Sequence, residues 1–131
     1  MAAAIVDKYL TVLEVNQEDT DAGVEIQNGD WIDISATGTI WSGVWFTGRN
    51  GPAGWLGWSA SNDAVAPGQP PFSLLMHTPV DGYIAIGDGL RRTYQNATLG
   101  PARTRLAFNV NRDPRDRMGN GSFQIHLIVW R

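Results

Sequence analysis

Two stretches of this sequence hold side chains whose type and crowding could engage a ligand. The first carries Trp41, Trp45, Trp55 and Trp58, the last two separated by Leu56-Gly57 in a run rich in Gly, Pro, Ser and Asn. A tryptophan in a strand among Val, Ile and Leu belongs to the core, which is the reading for Trp41 or Trp45. Trp55 and Trp58 sit in loop context and are harder to bury. An exposed, rigid indole can receive the C–H face of a sugar ring on its flat π face at low entropic cost. The plain alternative is that one or both indoles fold back as a lid over the core. The second stretch, Asn109 to Phe123 (NVNRDPRDRMGNGSF), crowds Asn, Asp and Gly into one loop. These groups and backbone carbonyls are the ligands Ca²⁺ takes, at about 2.3–2.6 Å. The same residues also build ordinary turns for conformational reasons.

Catalytic templates are missing. The sequence contains no P-loop, dinucleotide fingerprint, nucleophile elbow or His-Glu-x-x-His pair. The histidines, His77 and His126, both fall inside predicted strands and read as polar strand surface. Any two of the thirteen acids could be drawn as a glycosidase pair, which carries no information without geometry. The expectation is a protein that binds and does not catalyse.

The elements that must position these stretches are strands. Helical periodicity is nearly absent, and short alternating or β-branched runs are cut by Gly, Asn, Asp and Pro every ten residues or so, as in a sandwich or barrel. Strands are predicted at 9–15, 22–27, 31–37, 38–46, 72–77, 82–86, 104–110 and 122–130. Asn28-Gly29-Asp30 carries the Asn-Gly signal of a β-hairpin. The intervening run 47–71 is too long for a turn, and loops of that length are functional or disordered.

At 131 residues the chain suits a single domain, residues 1–131, able to bury a core without staples. It has no cysteine, which excludes disulfides and thiolate chemistry. No apolar run reaches the roughly 20 residues of a membrane helix. The start lacks the basic and apolar regions of a signal peptide, so the expected location is cytoplasmic, or exported without a cleaved leader. A net charge of −3 argues against nucleic acid as a partner. Arginines concentrate in the second half. They read either as ordinary surface pairing or as an anion or partner site near Arg112 to Arg117, because guanidinium forks suit bidentate recognition.

From about Thr20 to Leu127 the chain resembles the LecA-like (PA-I galactophilic lectin-like) family, small calcium-dependent bacterial lectins, and reads as a divergent member. The matching pieces occur in order: Asp21 to Gly38 (DAGVEIQNGDWIDISATG), Gly51-Pro52 with Gly54, Phe72 to Met76, and Tyr83 to Gly87. Leu106 to Asn111 (LAFNVN) and Asn120 to Ile125 (NGSFQI) complete the set. The resemblance implies an all-β, galactose-binding-like β-sandwich of two antiparallel sheets, assembly into homo-oligomers, and a Ca²⁺ ion in the loop before the last strand whose coordination the sugar hydroxyls complete. Sugar contacts are expected at Trp55 and Trp58 from their loop context, and at Asn111, Arg112 and Asn120 from the resemblance. It implies metal ligands at Ser42, through its backbone carbonyl, and at Asn111, Asp113, Asp116 and Asn120. The calcium aspartate of the family falls on Arg112, a fixed positive charge where the cation would sit. Two readings follow: Asp113 and Asp116 rebuild the ion site, or Arg112 replaces the ion by bridging the acids of the loop. The second is preferred. The functional expectation is a galactoside-type carbohydrate-binding domain. The alternative is a structural or oligomerisation module that kept the sandwich and lost the sugar site.

Overall fold

The computed structural model describes residues 3–44, 46–113 and 119–131. Among the described residues, nine strands form two antiparallel sheets: β1 (Ala4–Leu13), β2 (Thr20–Gln27), β3 (Trp31–Trp41), β4 (Arg49–Asn50), β5 (Leu74–Thr78), β6 (Gly82–Ala85), β7 (Gly89–Thr93), β8 (Arg103–Val110) and β9 (Asn120–Trp130). One sheet runs β1-β9-β3, with both β7 and β4 along the far side of β3; the other runs β2-β8-β5-β6. Alternation in sequence sets the inward faces. Ile32 and Ile34 of β3, Phe123, Ile125 and Leu127 of β9, and Leu106 and Phe108 of β8 are all essentially inaccessible. Their neighbours along each strand point outward, as a pleat of period two requires.

The expected all-β sandwich is therefore what the chain forms, with three departures. Asn28-Gly29-Asp30 does not close a hairpin, because β2 and β3 belong to different sheets. The buried Asp30 carboxylate accepts a hydrogen bond from the Gln27 N–H (2.9 Å) and pairs with Arg131 (2.9 Å), while the Asp30 carbonyl accepts from Tyr94 N–H (2.7 Å). These partners turn the chain from one layer to the other. Second, the breaks expected near Thr37 are absent. β3 continues through Gly38, whose φ of 97° is open to glycine and whose missing Cβ would lie 2.4 Å from the Ser122 carbonyl oxygen. Of the expected strand 38–46, residues 38–41 are thus the end of β3, and 42–44 lie outside any strand. Third, β7 was not foreseen. Its sequence, Gly-Leu-Arg-Arg-Thr, has little apolar alternation because most of its residues are exposed.

The long loop after β4 is organised by hydrogen bonds. Gln69 acts as a surrogate strand, donating from its amide to the Tyr83 carbonyl (2.9 Å) and accepting from Ala85 N–H (2.6 Å). At the opposite end of the sandwich, Asp81 accepts from Thr78 Oγ1, Tyr94 Oη and Asn96 Nδ2, each at 2.7 Å. That network joins the β5–β6 turn to the segment after β7.

Candidate functional site

The site is built at the end of the sandwich where β8 stops and β5 begins. Asn111 follows the last residue of β8 and is buried. Its side-chain oxygen accepts from Ala66 N–H (2.8 Å), and its amide group donates to the carbonyls of Ala66 (3.0 Å) and Pro70 (3.0 Å). Its backbone donates to the Ser73 carbonyl and accepts from Phe72 N–H. One asparagine thus replaces a missing strand partner for the 60–73 segment. Its polar atoms are committed to the loop, so its contribution to a ligand is to shape the wall.

Held this way, Phe72 adopts φ 64°, a left-handed conformation that costs a bulky residue about 1–3 kcal/mol. It is fixed by the Phe72 N–H bond to Asn111 (2.7 Å) and by the Trp55 N–H bond to the Pro71 carbonyl (2.8 Å). Gly54 permits that approach, since a Cβ there would stand 2.4 Å from the Pro71 oxygen. The Phe72 ring stays within the buried core cluster. Trp55 stacks on it at 6.1 Å and 24°, and Trp58 stacks on Trp55 at 4.9 Å and 19°. Exposure rises along the stack: Phe72 is buried, Trp55 is half-buried against the core, and Trp58 is 60% exposed. Trp55 therefore does fold back on the core, and Trp58 does not.

Beside the stack is a hollow of about 170 Å³, walled by Trp55, Trp58, Phe72 and Pro71, with Ser61 and Asp113 as polar lining. The Ser61 hydroxyl donates to Asp113 Oδ2. This volume is below the roughly 300–1,000 Å³ of pockets for drug-sized ligands, which limits an occupant to about one ring.

Arg112 lies next to the hollow with its side chain turned inward. It is 8% exposed, and its Nη1 donates to the Glu14 carbonyl and stands 3.6 Å from the Glu14 carboxylate. Glu14, 3% exposed, also accepts from Gly119 N–H at 3.0 Å. The buried pair joins the end of β8, the end of β1 and the entry to β9. Gly119 is required for this closure: a Cβ there would overlap the Trp41 carbonyl at 1.7 Å.

The residues expected from sequence separate as follows. Trp55, Trp58, Asn111 and Asp113 line one hollow, and Arg112 braces it from within. Asn120 lies elsewhere, at the start of β9, where its oxygen accepts from Arg49 Nη1 (2.9 Å). Ser42 is buried against Thr47 (Oγ to Oγ1, 3.0 Å) and receives Val44 N–H. Trp41 is half-buried outside the core cluster and donates to the Val44 carbonyl (3.0 Å). Trp45, Arg115, Asp116 and Arg117 lie outside the described residues. Among the described members of the expected calcium set, the side chains of Asn111, Asp113 and Asn120 each hold a hydrogen bond within the protein, and no cluster of three or more His, Cys, Asp or Glu occurs among the described residues. Sequence reasoning missed Phe72, Ser61 and Glu14. Only the unusual Gln-Pro-Pro-Phe run, 69–72, hinted at a forced backbone there.

A solved structure titled "EclA N-terminal domain; PllA-like lectin" superposes with a TM-score of 0.68, covering 92% of this chain and 94% of that one at 20% identity. The two share a β-sandwich fold of two antiparallel sheets. No protein-family model matches the sequence, and no curated protein matches it either.

Proposed function

We propose that this chain is a non-catalytic carbohydrate-binding domain whose ligand rests in the Trp58 hollow. The supporting observation is the three-ring stack Phe72–Trp55–Trp58, which rises from the core and ends in an exposed indole beside the Asp113–Ser61 pair. A sugar ring needs both: an apolar face for its C–H surface and a carboxylate and hydroxyl for its hydroxyls. The platform is rigid before the ligand arrives, which lowers the ordering cost of binding. Galactosides are the first candidates, from the resemblance to galactophilic lectins and the lectin-like neighbour. Binding is read as independent of calcium, with the Arg112–Glu14 pair closing the loop that an ion closes in the family.

The assay is indole fluorescence during titration with galactose, lactose, mannose and N-acetylglucosamine. A saturable change with at least one of them is expected. Silence across a broad glycan array at high protein concentration removes this reading.

A second reading is an assembly module. Phe46 and Leu56, 61% and 70% exposed, flank the Trp58 rim and would suit a subunit contact. Sedimentation separates the two: an assembly module shows a concentration-dependent mass that Leu56→Asp abolishes, whereas a sugar-binding hollow stays responsive in a monomer.

A further inference from the structure

The outer face of the β1-β9-β3-β7 layer holds a second, unrelated hollow. Register places Tyr9, His126, Ser35 and Gly89 in one row across four strands. The row starts with two rings, His126 stacked on Tyr9 at 4.3 Å and 15°. It then falls to a hydroxyl and to no side chain at all. Above Ser35 and Gly89 opens a trough of about 400 Å³, with Asp88 at one end and Arg91 at the other. Gly89 contributes no side chain to it, and a Cβ there would stand only 3.2 Å from the Ile34 carbonyl oxygen. The neighbouring row is Asp7, Ile128, Asp33 and Arg91. Within it Arg91 Nε donates to Asp33 (3.0 Å), and Asp7 holds the His126 ring through Nε2 (2.7 Å).

We propose that this trough is a second saccharide site, distinct from the Trp58 hollow. Three residues of extended chain separate Asp88 from Arg91 by about 10 Å, enough to span a sugar ring. Along that span the lining offers an acceptor (Asp88), a hydroxyl (Ser35) and a guanidinium that is 70% exposed (Arg91), the last held by Asp33 beside it. Each hydroxyl of a neutral sugar both donates and accepts, so it satisfies such a mixture. The two carboxylates oppose an anion, and Arg91 opposes a cation. The apolar lining comes from Leu90 and Ile34, while His126, the register partner of Ser35, stands beside the trough, backed by Tyr9 and oriented by Asp7.

The test is an amide-resolved NMR titration of the full chain and of Trp58→Ala with galactose, mannose, N-acetylglucosamine and lactose, up to roughly 100 mM, because shallow sites bind in the millimolar range. Saturable shifts of the Ser35, Gly89 and Arg91 amides are expected in both proteins. Arg91→Ala and Ser35→Leu should each weaken them tenfold or more. If the Trp58 indole responds while Ser35 and Gly89 stay still, the second site is refuted and the first survives. It is equally refuted if Trp58→Ala abolishes the shifts at Ser35, or if Arg91→Ala and Ser35→Leu leave the titration unchanged. If no signal moves anywhere, both sites fall.

Discussion

Glu14→Gln is the most informative single perturbation of the loop that closes the site. Glu14 and Arg112 are 3% and 8% exposed and 3.6 Å apart, so neither charge is screened by water. Removing one member of a buried pair costs about 3–5 kcal/mol, chiefly because the other charge stays in a poor dielectric. The lower end applies here, about 3 kcal/mol, because Arg112 Nη1 keeps the Glu14 carbonyl as an acceptor and a glutamine oxygen can still receive Gly119 N–H. For a domain of 131 residues, at roughly 3–5 °C per kcal/mol, that lowers Tm by about 10–15 °C. Urea melts of Glu14→Gln, Arg112→Met and the double variant give the magnitude and the coupling. The double variant should recover most of the loss, since an apolar replacement for both charges no longer strands either. A loss for Glu14→Gln below about 1 kcal/mol, the range of an exposed pair, refutes the view that this pair closes the loop.

Further expectations rest on separate residues. If the loop closes without an ion, Tm in EDTA and in millimolar calcium should agree, whereas a site filled to a hundred times its Kd would add about 2.7 kcal/mol. Asn111→Asp faces a carboxylate to the carbonyls of Ala66 and Pro70, so it should destabilise the fold, and increasingly as pH rises and the new group ionises; denaturant melts at pH 4 and 8 check this. Burial opposes ionisation of Asp81, but hydrogen bonds from Thr78, Tyr94 and Asn96 and the charge of Arg92 outweigh it and hold its pKa below 3.8. The folded state therefore binds its proton less readily than the unfolded chain. Its contribution is fully present above pH 3.8 and is lost as pH falls through the lower folded value. Asp81→Asn should cost about 2–3 kcal/mol at pH 7 and flatten the acid limb of the stability curve. Gly119→Ala should destabilise by several kcal/mol, since its methyl meets the Trp41 backbone and not a movable side chain.

The sandwich was legible because its inward faces are written as alternation: Leu106 and Phe108, or Phe123, Ile125 and Leu127, can face only one way along a strand. Strand pairing was less legible. Asn28-Gly29 is a good turn, but what it joins depends on Tyr94 and Arg131, far along the chain. β7 was hidden because an exposed strand next to a hollow needs no apolar pattern. At the site, Trp58 and Asp113 were visible as residue types in loops. The role of Asn111 was not: an asparagine that serves as ligand and one that splints a loop look alike until its partners are known. Arg112 was readable as a bridge to acids. Among the described residues it pairs with Glu14, just beyond the end of β1.

The account stands or falls on calorimetric titration with the best-binding saccharide of the wild type, Trp58→Ala and Leu56→Ala. Trp58→Ala should lose affinity tenfold or more with little change in Tm, because the ring is 60% exposed, and Leu56→Ala should bind as wild type does. Undiminished affinity in Trp58→Ala would contradict the stacked platform as the sugar-binding surface.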